Sequence, residues 1–201
     1  MARTRTSKKI PLRSLIVIFS DGKTELNYFN CKKLDLNGKR NVRIEPVFAK
    51  GKKATEIVGY AKKYLYNNYG DQPNDRYYCV FDMDCAADED IKRALKEKPK
   101  KMDLIVSNPD FEFWFLLHYT YHETSMQNRE PIEKLREHER GYEKPNVEQI
   151  YPSLKSRERD AITHAERLRQ FHENEGVDDL YSVSVNPYTN VDELVLVINS
   201  L

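Results

Sequence analysis

The sequence predicts an α/β protein with a mostly parallel sheet, helices on both faces of that sheet and a helical C-terminal part. Two observations carry this prediction. Short, β-rich apolar runs alternate with segments of helical pattern through the first half of the chain, and the loops that join them are short. The 201 residues, 39% of them hydrophobic, suffice for one domain, or for one domain with a small appendage.

The elements follow one another in a regular order. The first strand, residues 15–19, is apolar at every position, as expected for a strand that is covered on both faces. After it we predict a helix to about residue 36, a strand at 42–49, a helix at 54–69, a strand at 77–81, a helix at 89–97 and a strand at 102–106. The apolar segment 110–121 then continues as a helix.

From residue 124 onward the pattern changes to polar helices. We predict helices at 131–139 and 156–175, a strand at 181–185 and a last helix that begins after residue 190. The chain therefore divides into an arm at 1–13, an α/β core at 14–123 and a mainly helical part at 124–201. The helical part is expected to pack on the core, because so polar a segment would form only a thin core alone.

Charge, hydropathy and cysteine usage limit the setting in which the protein works. A formal net charge of +1 indicates no class of partner. No apolar run approaches the roughly 18 residues of a membrane-spanning helix, so we expect no membrane association. The three cysteines form no CxxC pair, which argues against disulfides and structural zinc and favours a reducing compartment, the cytoplasm. The arm holds five basic residues and no acid, and it is interpreted as basic and flexible; a transit peptide fits less well, and a tail without a role stays open.

Acidic side chains follow two strands of the predicted sheet. Asp21 comes directly after the first strand, and Asp82 and Asp84 come after the third. Ligands of open α/β sheets lie beyond the carboxyl ends of the strands, where the connections diverge. Residues two apart in an extended chain point the same way, and Glu25 stands one helical turn after Asp21. These carboxylates are therefore expected to share one cleft.

A cleft of this kind indicates a metal site. Carboxylates packed together raise each other's pKa, and a bound divalent cation relieves the repulsion. An acidic, all-oxygen set of ligands favours Mg²⁺ or Mn²⁺, and the chemistry that uses such a site is phosphoryl transfer or phosphodiester cleavage. A DxD motif alone also fits residues that cap the next helix or line a solvated loop.

Two other phosphate-handling motifs fit less well. A haloacid-dehalogenase-type phosphatase places its DxD near the N-terminus, with Thr or Val two residues beyond the second Asp, where this chain has Ala86. A P-loop requires GxxxxGK[ST], and residues 21–24 (DGKT) lack the first glycine at the proper distance.

Four sequence blocks resemble the RloB-like family, found beside restriction and abortive-infection genes of bacteria. They are SDGKTE at 20–25, VFDMD at 80–84, SNPDFEFWFLLH at 107–118 and NPYTNV at 186–191. The third block is the most specific. The order of elements, with an acidic Gly-containing turn after the first strand and a later strand that ends in DxD, also resembles the Toprim fold of topoisomerases, primases and OLD-type nucleases.

The resemblance implies a Toprim-like, metal-dependent nuclease or nuclease subunit in phage defence, often encoded with an ATPase partner. By position, Asp21 stands where the Toprim glutamate is expected, Glu25 matches a second acid, and Asp82 with Asp84 match the metal-binding pair. Aspartate at position 21 keeps the charge but shortens the reach by about 1.5 Å. Either the metal lies nearer that strand, or Glu25 takes the main acidic role.

The third block adds one site residue. Glu112, at the start of the helix after the fourth strand, is assigned a supporting catalytic position, and stabilisation of the helix N-terminus is the plain alternative. His118 is expected to be a buried, hydrogen-bonded structural histidine. The aromatic and leucine side chains of 111–117 are expected to form core.

Lysines supply the candidate contacts to nucleic acid. Lys23 is placed to neutralise a phosphate beside the metal, and segment 92–101 holds six basic residues and one acid. The predicted contacts are Lys23, Lys52, Lys53, Lys98, Lys100 and Lys101. The alternative is that these lysines are simply solvated.

The sequence thus predicts a Mg²⁺- or Mn²⁺-dependent nuclease that acts on DNA or RNA, including transfer RNA, with an ATPase partner and with oligomerisation possible. A non-catalytic Toprim-like binding or sensor subunit of an ATPase-containing defence complex is the alternative from another class. A small-molecule phosphohydrolase is the third reading.

Overall fold

The computed structural model describes residues 14–36, 42–49, 53–70, 73–83 and 86–201. Within these residues the strands are β1 (Ser14–Ser20), β2 (Val42–Phe48), β3 (Arg76–Asp82), β4 (Met102–Asn108) and β5 (Tyr188–Thr189). The helices are α1 (Lys23–Asp35), α2 (Ala54–Asn68), α3 (Asp88–Glu97), α4 (Glu112–Leu117), α5 (Glu130–His138), α6 (Val147–Ser156), α7 (Glu158–Asn174) and α8 (Val191–Asn199). The arm at 1–13 lies outside the described residues.

The five strands form one sheet in the order β2-β1-β3-β4-β5. The first four are parallel, and β5 pairs with the end of β4 in the antiparallel sense. From β1 the chain passes to β2 on one side and then returns to β3 on the other. The connections therefore diverge at the carboxyl ends of β1 and β3, which is the crevice where open α/β sheets bind ligands.

Alternating side chains of β1 build two separate apolar cores. Ile16 and Ile18 pack with α1 and with the helices that follow β4, whereas Val17 and Phe19 pack with α2 and α3. The sheet is therefore covered on both faces, and the mostly parallel α/β class predicted from the sequence is confirmed. The helical part that follows residue 124 contributes to the first of these cores, and the domain boundary at 123 stays a prediction.

The two edges of the sheet are protected by different features. Beyond the two-residue strand β5, the side chain of Asn190 takes the place of a strand: its Oδ1 accepts a hydrogen bond from Val106 N at 2.8 Å, and its Nδ2 donates to Leu104 O at 3.2 Å. At the opposite margin, β2 carries Pro46, which has no N–H to offer.

Three predicted elements differ from the structure. The helix predicted at 110–121 is only Glu112–Leu117, because His118 N and Tyr119 N bond to carbonyls three residues back and tighten the end of the helix. The helix predicted at 156–175 begins after a break at Arg157 and is preceded by α6, which the sequence pattern did not predict.

The strand predicted at 181–185 is wrong. Its alternating valines and serines suggested a β-strand, but the carboxylate of Asp88 accepts hydrogen bonds from Val183 N (2.7 Å) and Ser182 Oγ (3.0 Å) and holds the segment in turns. The pairing with β4 is made instead by Tyr188–Thr189. None of the helices that the structure describes combines the length and apolar character needed to cross a membrane.

Candidate functional site

A small acidic cavity, here called the carboxylate pocket, opens at the carboxyl ends of β1 and β3. Its volume is about 280 Å³. The lining residues are Gly22, Lys23, Thr24, Glu25, Asp82, Glu112, Lys144 and Pro145. The pocket therefore joins the start of α1, the end of β3, the start of α4 and the loop between α5 and α6 at the switch point of the sheet.

Glu25 enters the pocket from the first turn of α1 and is 2% exposed. Its carboxylate folds back over Gly22. A Cβ atom at Gly22 would lie only 2.2 Å from Glu25 Oε2 and 2.7 Å from Oε1. Because Gly22 has no side chain, the carboxylate of Glu25 can occupy this position.

Asp82 ends β3 and carries an unsatisfied oxygen. Its Oδ1 has no contact with solvent and accepts no hydrogen bond from the described residues. Burial raises the pKa of Asp82 well above its usual value, and the carboxylates of Glu25 and Asp21 raise it further. Asp110 and Glu112 add smaller contributions of the same sign.

The pKa of Glu25 is shifted in the same way. Burial raises it well above its usual value, the charge of Asp21 adds to the effect, and Glu112 adds less. Asp21 itself is half-buried at the end of β1, where its backbone N–H donates to Val80 O at 3.3 Å. The acids at the ends of β1 and β3 therefore repel one another.

Glu112 is buried completely and is held by two hydroxyl donors and one ion pair from other segments. Its Oε1 accepts hydrogen bonds from Tyr142 OH at 2.9 Å and, more weakly, from Thr24 Oγ1 at 3.4 Å. Its Oε2 lies 2.6 Å from Lys144 Nζ. The charge of this glutamate is thus compensated within the protein.

Lys144 lines the pocket and forms an ion pair with Glu112, and 42% of its side chain is exposed. Its Nζ also lies 4.0 Å from Asp110 Oδ2. Burial alone would lower the pKa of Lys144, but the charge of Glu112, its hydrogen bond to the lysine, and Asp110 together raise it. The ammonium group therefore stays charged at the mouth of the pocket.

The side chains of the pocket offer the type of ligand atom that a hard divalent cation prefers. Carboxylate oxygens are the ligands that Mg²⁺ and Mn²⁺ prefer, and Asp82 Oδ1 is a buried acceptor without a donor. Within the described ranges, no three Asp, Glu, His or Cys side chains stand close enough together to form a metal site as they are. Asp84, the second member of the DxD motif, lies outside the described residues. Glu25 and Asp82 are the residues that would hold a cation, with Asp21 beside them.

The structure brings some of the predicted residues together and separates others. Glu25, Asp82 and Glu112 line one cavity, with Lys23 at its side. Lys53 precedes α2 and is exposed, and Lys52 lies outside the described residues. Three other predicted lysines lie elsewhere.

Lys98, Lys100 and Lys101 precede β4 and therefore lie at the opposite end of the sheet from the carboxylate pocket. Their closeness in sequence to the DxD motif does not become closeness in space, because α3 and its turn return the chain to the start of the next strand. Lys98 Nζ is bonded to Met102 O and lies 3.4 Å from Asp103 Oδ1.

Sequence reasoning missed Tyr142 and Lys144, which complete the pocket. They stand in a polar loop of no recognisable pattern (GYEKP, 141–145), about thirty residues from the glutamate that they contact. Asp110 lay inside a quoted block but had no role assigned to it. The expectation for His118 is confirmed, since it is 1% exposed and its Nδ1 lies 2.9 Å from Trp114 O.

A family model described as RloB-like protein matches residues 16–198. No match was found among curated proteins or among solved structures. The family model spans every element described above from β1 to α8, so it covers the carboxylate pocket as a whole.

Proposed function

This chain belongs to the RloB-like family, and from that premise we propose that the carboxylate pocket binds Mg²⁺ or Mn²⁺ and cleaves phosphodiester bonds of nucleic acid. One observation carries the proposal: Glu25 and Asp82 share a cavity with Glu112, and burial and mutual repulsion raise the pKa of both. A divalent cation is the ligand that relieves such repulsion.

Each residue of the pocket has a part in this proposal. Glu25 and Asp82 hold the cation, with Asp21 and Asp84 assisting. When bound, the cation supplies Lewis acidity toward a phosphate oxygen and an attacking water. Lys23 and Lys144 offer ammonium groups to the phosphate, whose negative charge grows during hydrolysis.

Glu112 acts as a positioning residue. It is held by Tyr142 and Thr24, and it holds Lys144 in turn. A lysine that is fixed in this way loses less conformational freedom when it meets a phosphate than a free surface lysine does. The proposal extends to the setting: a role in anti-phage defence, with an ATPase partner, follows from the family resemblance.

The test measures cation binding and cleavage separately. Mg²⁺ or Mn²⁺ is titrated into the full-length protein while thermal unfolding is followed, and labelled DNA and RNA are then incubated with the same samples. A cation at 100 times its Kd stabilises the native state by about 2.7 kcal/mol, which corresponds to a rise in Tm of roughly 5–10 °C.

Asp82→Asn should lose most of this rise and all metal-dependent cleavage while keeping its fold. Asp178→Asn, a change of the same kind at an exposed loop residue, should behave like the wild type. Metal-dependent cleavage that persists in cleanly purified Asp82→Asn protein contradicts the assignment of this residue.

A non-catalytic subunit is the second candidate, and one observation favours it. Lys144 already neutralises Glu112, so part of the pocket has a counter-charge without a metal. In that case neither cation would raise the Tm of the wild type specifically, and no nucleic acid or nucleotide would be turned over.

A further inference from the structure

A second cavity lies at the other end of the sheet, below the last turns of α2. It is called here the tyrosine–lysine groove, and its volume is about 700 Å³. Its walls include Lys62, Tyr66, Tyr69, Tyr77, Lys100 and Lys101. β3 begins at this groove and ends at the carboxylate pocket, so at about 3.3 Å per residue the two sites are roughly 20 Å apart.

The described walls of the groove are basic. Three of its lining residues are lysines, and none of the described lining residues is acidic. Lys62 and Lys100 are exposed. Lys98, close by in sequence, donates to Met102 O and lies 3.4 Å from Asp103 Oδ1, and Lys100 and Lys101 also line a neighbouring cavity with Asp75 and Asp103. Lys62 and Lys100 therefore present positive charge toward solvent, as a surface that binds phosphates does.

The groove also presents aromatic rings. The side chain of Tyr66 is 88% exposed, the largest exposure among the exposed hydrophobic residues of the described chain. Lys62 and Tyr66 are four residues apart on α2 and so stand on the same face of the helix. A ring and a cation on one face form the pair that a nucleotide engages through its base and its phosphate.

The second aromatic wall is rigid. The ring of Tyr69 lies 6.3 Å from that of Tyr64, whose hydroxyl donates to Glu45 Oε1 at 2.9 Å. Leu65 and the ring of Pro99 complete an apolar floor. Backbone pairing of Tyr77 N with Lys101 O at 2.9 Å ties the two sides of the groove together. The surface is thus formed before any ligand arrives.

We propose that the tyrosine–lysine groove binds a single strand of nucleic acid, with unpaired bases against Tyr66 and Tyr69 and phosphates at Lys62 and Lys100. A single strand is favoured over a duplex, because base pairing and stacking hide the base faces that the tyrosines would meet. An acidic segment of a partner protein would match the lysines but would leave the exposed ring of Tyr66 unused.

The inference deepens the proposed function, since it supplies an anchor for the polymer that the carboxylate pocket would cleave. A strand held at the groove extends past the sheet toward the pocket roughly 20 Å away. The anchor and the pocket lie at opposite ends of β3, so each can be changed without touching the other.

The test is direct binding of a fluorescein-labelled oligo(dT) or oligo(rU) to the full-length protein in EDTA, followed by anisotropy. Tyr66→Ala should weaken binding about 5-fold to 100-fold, the range for loss of one stacked base, whereas Tyr66→Phe should stay within about twofold of the wild type. Lys62→Glu and Lys100→Glu should weaken binding and lower the salt dependence by about 0.7 in log K against log salt for each lost phosphate contact.

Matched controls separate the groove from general charge. Lys63→Glu makes the same change at the next residue of α2, which does not line the groove, and should bind within about threefold of the wild type. Asp178→Asn, a change at an exposed loop residue that lines neither cavity, should bind as the wild type does. Binding that is unchanged in Tyr66→Ala, or equally reduced in Tyr66→Phe, overturns the inference.

The outcomes also separate this inference from the proposed function. If binding depends on the groove residues but no metal ion supports cleavage, the inference about the groove stands and the proposed nuclease function is wrong. If cleavage is lost in Asp82→Asn but binding is unchanged in every groove variant, the proposed nuclease function stands and the inference about the groove is wrong. If poly-glutamate competes as well as oligonucleotide and Tyr66→Ala has no effect, the groove takes an acidic protein segment and the inference is wrong.

Discussion

The two walls of the carboxylate pocket handle the same problem, a buried negative charge, in different ways. On the wall formed by α4, Glu112 meets Tyr142, Thr24 and Lys144. On the wall formed by β3 and α1, Asp82 and Glu25 meet mainly other acids, and Asp82 Oδ1 accepts no hydrogen bond from the described residues. A buried carboxylate is tolerated where donors surround it and is costly where they do not.

The contrast identifies where an added cation would do most. At Glu112 the protein supplies a lysine, so a further positive charge gains little there. At Glu25 the charge of Lys144 is the smallest of the effects on the pKa, and burial and neighbouring acids still raise the pKa of Glu25 and Asp82 well above the usual values. Four experiments, from the largest expected effect to the smallest, test this difference.

Removal of Lys144 should leave the wall formed by α4 with an uncompensated buried carboxylate, as on the wall formed by β3 and α1. Lys144→Met keeps the length of the side chain but leaves Glu112 buried without its ion pair. Breaking a fully buried pair costs about 3–5 kcal/mol, and the exposure of Lys144 reduces the expected loss to about 2 kcal/mol. The measurement is chemical denaturation in EDTA at neutral pH. The exposed Lys63→Met is the control, and an equal loss of stability in the two variants contradicts the assigned ion pair.

Removal of the charge of Asp82, on the wall formed by β3 and α1, should raise the stability of the protein instead of lowering it. Asp82→Asn relieves the repulsion with Glu25 and Asp21, and in EDTA at pH 7 we expect a Tm higher by roughly 2–4 °C, the shift that about 1 kcal/mol produces in a chain of this size. The amide keeps the shape of the carboxyl group. A lower Tm than the wild type would contradict the account of repulsion.

The pH dependence follows from the direction of the pKa shifts. The folded protein binds the protons of Asp82 and Glu25 more tightly than the unfolded chain does, because burial and neighbouring acids raise both pKa values. The stability they support is therefore complete below about pH 4, the unfolded pKa range, and is lost as pH rises toward the folded values. The curves of wild type and Asp82→Asn should converge below about pH 4 and separate above it.

A methyl group at Gly22 should produce the smallest change in stability but a selective change in the pocket. Gly22→Ala places a Cβ where the carboxylate of Glu25 now lies and should displace that carboxylate. We expect less than about 1 kcal/mol of change in stability and a several-fold weaker response of Tm to Mg²⁺ or Mn²⁺.

The matched control for this variant is Gly59→Ala. Gly59 lies within α2 with nothing within 4 Å of the added Cβ, so this change should stabilise the helix by about 0.5–1 kcal/mol and leave the metal response intact. An unchanged metal response in Gly22→Ala would show that the position of Glu25 does not matter to the cation.

The sheet could be predicted from the sequence because its signals are local. An apolar run such as 15–19 leaves few alternatives to a buried strand, and the acids that follow β1 and β3 are brought near one another by the parallel order of the strands. Glu25, Asp82 and Glu112 were expected on these grounds or by family resemblance, and they do line one cavity.

The rest depends on long-range contacts that leave no local pattern. Lys144 reaches Glu112 from a loop between two polar helices, and its neighbours in sequence do not distinguish it from a solvated lysine. Likewise, Asp88 draws residues 182–183 into a turn although their alternation is typical of a strand. Tertiary hydrogen bonds override intrinsic strand preference in such segments.

The closed margins of the sheet limit how this chain can assemble. Pro46 interrupts the donors along β2, and the amide of Asn190 occupies the backbone groups of Val106 and Leu104 that another strand would use. Exposed strand edges are the usual template for cross-β growth and for strand exchange between molecules. Addition of a partner strand is therefore disfavoured at Pro46 and at the part of β4 that Asn190 covers.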